Sequence, residues 1–549
     1  MTISRHLAIG VAASALLFAA QSAHAVPNPG TIEGIVKNAA GQPVTGAYVK
    51  LKNTDGRLTF LVASQAGGKF TAGDLPAGQY TIQGIGGGFT SAVSPPLTVD
   101  SNKTAKAADI SLVTKQGPVL PGAWPGRLPE EEHEKVSLTF PAGAGKALVE
   151  EKCTTCHNDN RIVVKRSEPA DWAFTIKRMR INLAGAGMPD LTEQEATTIT
   201  KYLADNYKPL AGVDENARMP RTLATGDATK FRVVTYNLPR PYSEPHDIAV
   251  DPTGVAWAAE RAGFLIRFDP KLLEFTERPI PAGIAAPDRQ RLGNPQIDSK
   301  GMLWAADGPN NRWLSYDTVN RQYKTYPWTE KGHGNAGGNS MTIHPNGKIY
   351  ATGFGREVRM LDPATLQWKF FEAPAFKAKG EPPGAYGIAV AGDGAVWFAE
   401  NDADLMARLD VNTGKVEEFK IPYDGYAMPR RLQSDANGDI WVGLWQAGKL
   451  MKIDHKTNKM TIYNPPTPNN GAYVVATDKR QGGSPYIWFS QQKVDRIARF
   501  DPRNGQFVEF PLPYAESDAR RVEIDPTNPN RVFFSGNTAD RIGFVEYLP

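Results

Sequence analysis

Between residues 31 and 113, apolar and polar positions alternate in short runs, each closed by glycine or proline. "TIEGIVKNAAGQPVTGAYVKLKN" alternates around an Ala-Ala-Gly-Gln-Pro turn. "GGKFTAGDLPAGQYTIQGIGGGF" repeats the arrangement, turning at Gly67-Gly68 and at Leu75-Pro76-Ala77-Gly78. A period of two bounded by turn residues predicts antiparallel strands, here a small β-sandwich. Residues 114–140 lose the pattern. "TKQGPVLPGAWPGRLPEEEHEK" carries four prolines and ends in a charge run, which predicts an extended linker with a solvated acidic surface.

From 141 to 208 the period becomes helical. Ser167 is placed to cap a helix through "EPADWAFTIKRMR", where Trp172, Ile176, Met179 and Leu183 share one face. Thr192 and Glu195 form a T-x-x-E capping box for "LTEQEATTITKYLADNY", and Ile199 and Leu203 continue its apolar stripe. Trp172 and Tyr202 are expected to pack in the core of this small all-α region.

From 230 onward the chain repeats itself. Openings such as "PHDIAVDPTGVAWAAE", "AYGIAVAGDGAVWFAE" and "MPRRLQSDANGDIWVGL" recur every 43 to 48 residues, in seven copies, most followed by a further strand pair. That spacing predicts four-stranded propeller blades. "KFRVVTYNLP" at 230–239 matches an outer strand but precedes the first opening, so it is expected to complete the last blade, which ends early at "RIGFVEYLP".

The full sequence has 549 residues with 62 basic and 58 acidic side chains, a formal charge of +4. So even a balance excludes the basic face that nucleic-acid binding needs. Residues 1–25 read as a secretory signal peptide: Arg5 and His6, an apolar run from Leu7 to Ala20, then Ala23-His24-Ala25. No later segment approaches the roughly 18 uninterrupted apolar residues of a membrane span, so a soluble periplasmic protein is expected.

Both cysteines lie in "EEKCTTCHNDN", as Cys153 and Cys156, with His157 directly after. A redox disulfide of this spacing belongs in a βαβ setting, whereas this motif ends a short helical segment. A zinc site needs further ligands, and no second Cys pair or His cluster supplies them. Covalent haem c uses all three residues: two thioethers hold the porphyrin edge and His157 ligates the iron. With 8 histidines in 549 residues, chance places one after C-x-x-C about once in seventy, so the motif is specific. One covalent haem c is therefore expected.

The helical region, through "CTTCH", a following Met and its last helix, resembles class I cytochromes c. That resemblance implies a Met thioether as sixth ligand. Met188 in "GAGMPDLT" precedes the last helix as the family's ligand does, and Met179 is the alternative. "GIVKNAAGQPVTGAYVKL…GKFTAGDLPAGQYTI" resembles the carboxypeptidase regulatory-like family, a transthyretin-like sandwich that mostly serves as an accessory or binding module. The repeats resemble the virginiamycin B lyase (streptogramin lyase) family. This implies a seven-bladed propeller over 230–549, a central His as base and a Mg2+ held near an acidic residue. His246 and Glu260 match those roles on the channel rim. The positions comparable to His246 in the other blades are Asn294, Asn339, Tyr386, Arg430, Tyr473 and Arg520, none of them a second His. His344 and His455 fall in peripheral turns, and His333 lies on a Gly-rich loop.

The architecture expected is mainly β, a seven-bladed β-propeller with an N-terminal β-sandwich and a small all-α cytochrome c domain. A lyase moves no electrons, so a haem favours electron relay, with the propeller binding a small-molecule substrate or a redox partner protein. A Mg2+-assisted C–O lyase at His246 and Glu260 stands as the second reading, and a pure binding scaffold as the third.

Overall fold

The computed structural model describes residues 28–53, 55–117, 140–153, 162, 169–185, 190–208, 216–239, 243–260, 263–281, 292–331, 333, 336–353, 357–374, 385–480 and 482–549. The signal-peptide reading and most of the linker lie outside the described residues. The chain is mainly β. Among the described residues no helix is long and apolar enough to cross a membrane.

The alternating N-terminal segments form two layers. One sheet pairs Gly30–Asn38 with Lys69–Leu75 on one side and, in parallel, with Thr104–Lys106 and Ile110–Leu112 on the other. The other layer runs through Gly78–Gly86, Tyr48–Asn53 and Leu58–Ala63. Ile32, Val36, Leu51, Phe60 and Ile82 meet between the layers.

The second layer does not end there. Leu58–Ala63 pairs with Phe231–Asn237, which pairs in turn with Arg541–Tyr547, Asn528–Gly536 and Ala519–Asp525 in one ten-stranded sheet. Phe231–Asn237 thus does what its displaced position predicts, registering Phe231 with Tyr547 and Asn237 with Arg541. Its other edge carries the sandwich. Gly543 makes the close approach feasible, because a Cβ there would lie 2.3 Å from the carbonyl oxygen of Val234. Phe60, Val234 and Phe544 are buried in one core that also takes in Ile248 and Phe268. Each such side chain contributes roughly 1.5–3 kcal/mol on burial.

The repeats fold as six four-stranded antiparallel sheets over 248–279, 292–327, 338–372, 385–420, 429–463 and 472–511, with strands in chain order. Each first strand touches the first strand of the next sheet, from Ile248–Val250 round to Ala519–Asp525, and that strand touches Ile248–Val250 again. The Asp-and-Gly turns between first and second strands are built by side-chain acceptance: Asp251 takes the amides of Thr253 and Val255 and the Trp257 indole at 2.8 Å. Gly254, at φ 86°, supplies the left-handed residue there.

In the helical region, Lys146–Leu148 leads into a wide turn, Val149–Cys153, followed by the helices Pro169–Gly185 and Glu193–Asn206. The predicted capping box forms: the Thr192 hydroxyl accepts from the Glu195 amide, and the Glu195 carboxylate accepts from the Thr192 amide at 2.8 Å. Trp172, Ile176, Ile199 and Leu203 share the core with Val149 and Tyr202. Met179 is half-buried and lies outside that core, although the stripe groups it with Trp172 and Ile176. The side chain of Leu183 lies outside the described residues.

Candidate functional site

In each blade the first residues of the inner strand approach the ring axis, and the positions that the repeats align converge there. His246 lies between two partners: Nδ1 is 2.7 Å from Asp247 and Nε2 is 3.0 Å from the Arg520 guanidinium. Arginine only donates, so Nε2 accepts and the ring proton sits on Nδ1, directed at Asp247. Asp247 is buried and paired with Arg431, and it also accepts from the Asn294 amide at 3.2 Å. Burial alone raises its carboxyl, but Arg431, His246 and Arg521 overcome that and hold it well below the usual carboxylate range. Arg431 reaches on to the Asn339 carbonyl at 3.2 Å. Arg520 is held by Asp518 at 2.8 Å.

On the other side of the axis the Tyr386 and Tyr473 hydroxyls share a hydrogen bond, with their rings edge to face. Arg430 lies over both rings and over Trp445, at 4.7, 5.6 and 5.4 Å from the centroids. Burial raises the Tyr386 phenol, yet Arg430, Arg431 and Arg520 outweigh it and leave it below its ordinary value. Tyr473 goes the other way, raised by burial and by Tyr386 itself. The two phenols share one hydrogen bond beside the same arginines, so their ionisation is coupled.

The register that pairs Ile248 with Ala258 brings His246 and Glu260 to the same open end of their strands. Glu260 is buried, but His246 is engaged by Asp247 and Arg520, and the Nε2 lone pair that a base would use already accepts a hydrogen bond. Among the described residues no group of three or more His, Cys, Asp or Glu side chains is placed to hold a metal ion. His344 Nε2 donates to the Gly394 carbonyl (2.9 Å) and His455 Nδ1 to the Asp439 carboxylate (2.8 Å), both in turns, as expected. His333 pairs with Glu357 at 2.9 Å and stacks on Phe370. The alignment by repeats did not find Arg431, Asp247 or Asp518. The signal was present in the neighbouring charges of "HD", "RR" and "DAR".

Cys153 ends its helical turn half-buried against the core of Val149, Trp172 and Tyr202. A thiol at the edge of an apolar core suits attachment of an apolar macrocycle. Cys156, His157 and Met188 lie outside the described residues. Trp172 and Tyr202 pack as expected: the indole donates to the Tyr207 carbonyl (3.1 Å) and the phenol to the Pro141 carbonyl (2.6 Å). The Pro169–Gly185 helix rests on the turn Gly308–Asn310, which directly follows Asp307 at the rim end of its strand. Leu292 pairs with Asp307, so this turn is on the same face of the ring as the axial cluster.

The fold and this axial cluster define a β-propeller with an appended helical region and a sandwich. Residues 300–547 match the virginiamycin B lyase family, 31–113 the carboxypeptidase regulatory-like domain, and 143–230 the haem-binding domain of quinohemoprotein amine dehydrogenase A, alpha subunit. A solved streptogramin B lyase shares the propeller fold: 22% identity over 59% of this chain and 100% of that one, TM-score 0.51. The virginiamycin B lyase of Staphylococcus aureus aligns at 21% identity over 58% and 99% of the two chains, TM-score 0.49. Kuenenia stuttgartiensis hydrazine synthase aligns at 11% over 56% and 97%, TM-score 0.44. No curated protein matches in sequence.

Proposed function

We propose that this is an exported, periplasmic c-type haem protein that relays electrons, with a seven-bladed propeller that binds a substrate or a redox partner, as part of a dehydrogenase-type system. Cys153 and Cys156 hold one haem c covalently, His157 is its proximal ligand, and Met188 completes the iron, with Met179 as the alternative. Bound there, the haem supplies one-electron chemistry. The match of residues 143–230 to a haem-binding domain supports this reading.

The observation that carries it is the seating of the Pro169–Gly185 helix on Gly308–Asn310. The Pro169–Gly185 helix lies on the face of the ring where Arg430, Arg520, His246 and Tyr386 gather. That contact supports a carrier on the same side of the ring as a species bound at the axis. His246 acts here as a positioning group. Its ring, locked between Asp247 and Arg520, orients the Arg520 guanidinium instead of moving a proton. A Mg2+-assisted lyase at His246 and Glu260 needs that same nitrogen released.

The test is visible absorption of protein matured in a host competent for cytochrome assembly. The parent is expected to show reversible oxidised and reduced haem spectra, and haem that stays with the polypeptide on denaturing gels. Cys153→Ala with Cys156→Ala should lose the gel-retained haem. A colourless parent from that host overturns the proposal.

A further inference from the structure

The charges at the channel mouth do not cancel. Arg431 is paired with Asp247, and Arg520 with Asp518. Among the described residues Arg430 meets no carboxylate: its side chain reaches the Met428 sulfur at 3.7 Å and otherwise lies on the faces of Tyr386, Tyr473 and Trp445. Lys493, 4.1 Å from the same Trp445 ring, adds a second cation to that side. Tyr473 and Trp445 are buried, whereas Arg430 and Tyr386 are partly buried, so part of the Arg430 residue surface remains exposed at the mouth.

We propose that the mouth of the channel is a binding site for a small organic carboxylate, taken up by the Arg430 guanidinium beside the Tyr386 ring. The planar fork of arginine matches a carboxylate's two oxygens. The inference deepens the reading of the propeller as a ligand site and does not depend on the haem.

Tyr386 makes the site pH-sensitive in a defined direction. The groups facing its phenol are Arg430, Arg431, Arg520 and Tyr473, with His246, Asp247 and Asp518 behind the arginines. The positive charge that favours a Tyr386 phenolate is the charge a bound carboxylate uses. Ionised Tyr386 and ligand therefore compete, and each weakens the other by the same factor. Affinity must fall as pH rises through the ionisation of Tyr386, and binding must push that ionisation upward.

The experiment is calorimetric titration of the full haem-loaded chain with benzoate, and with benzamide as a neutral analogue, at several pH values. Benzoate is expected to bind and benzamide not to. Arg430→Gln should weaken benzoate by about tenfold to a hundredfold, as expected for a charge-assisted contact, with Arg430→Lys intermediate. Tyr386→Phe should remove the decline of affinity at high pH. Equal binding of the two probes, no benzoate binding, or benzoate affinity unchanged in a folded Arg430→Gln overturns the proposal. Melting curves establish folding, and Arg430→Lys, which keeps the charge, supplies the comparison if Arg430→Gln is unstable. Haem spectra of the same samples separate the two readings. Benzoate binding in a colourless protein sinks only the electron carrier, and a normal haem without benzoate binding sinks only the carboxylate site.

Discussion

Glu400 closes the strand Val396–Glu400 with its side chain fully buried, and neither carboxyl oxygen has a hydrogen-bond partner among the described residues. Burial, with the nearby Glu418 adding to it, pushes its pKa up to about 8 from an ordinary 4.5. Below 4.5 the group is protonated in both folded and unfolded chains and costs nothing. From there to about 8 the folded chain keeps a proton that the unfolded chain releases, so stability falls as pH rises, by up to about 1.4 kcal/mol per pH unit. Above that the penalty is constant. Glu400→Gln should melt with the parent at acid pH and above it at pH 8 and beyond. A difference that does not grow with pH would mean the carboxyl is solvated or paired. The residue itself stands out in "AVWFAE" as the acid ending an apolar strand, but its isolation depends on the blade facing it.

At the scale of elements, the strand Phe231–Asn237 joins two parts that the alternation pattern treats as separate. Its pairing with Arg541–Tyr547 was legible, because a lone outer strand ahead of the repeats leaves one blade short. Its pairing with Leu58–Ala63 was not, since a period of two identifies faces and says nothing about edges. A clue did exist: "LTFLVA" is apolar at every position but Thr59, the mark of a strand covered on both faces, and the structure buries all of it. Val234→Pro removes a ladder donor in the middle of this ten-stranded sheet and should cost about 3 kcal/mol or more. In scanning calorimetry the parent is expected to melt in one transition and the variant in two, sandwich apart from propeller. A single undivided transition in the variant would show that the strand is not the joint.

Across the whole molecule, polar ties repeat what the shared sheet does. Arg218, in the segment after the helical region, forms a buried ion pair with Asp495 at 3.0 Å, while Asn216 reaches Gln83 at 3.0 Å and Lys50 on the sandwich. Arg232 joins Asp74 of the sandwich to Glu546 of the last blade, at 2.7 and 2.6 Å. A fragment of residues 230–549 would bare both the edge of Phe231–Asn237 and apolar surface such as Ile248 now in the joint core. It should elute as aggregate in size-exclusion chromatography where the full chain does not, and a well-behaved monomer would contradict this. Local chemistry was readable from the chain alone. The repeats, the Thr192–Glu195 cap and the C-x-x-C-H knot each depend on neighbours a few residues apart or on periods that recur. Arg430 on its three aromatic faces, the locked His246 and Glu400, isolated among the described residues, required the closed ring. Their partners come from blades some 44 to 274 residues away, and only packing sets which charges meet at an axis.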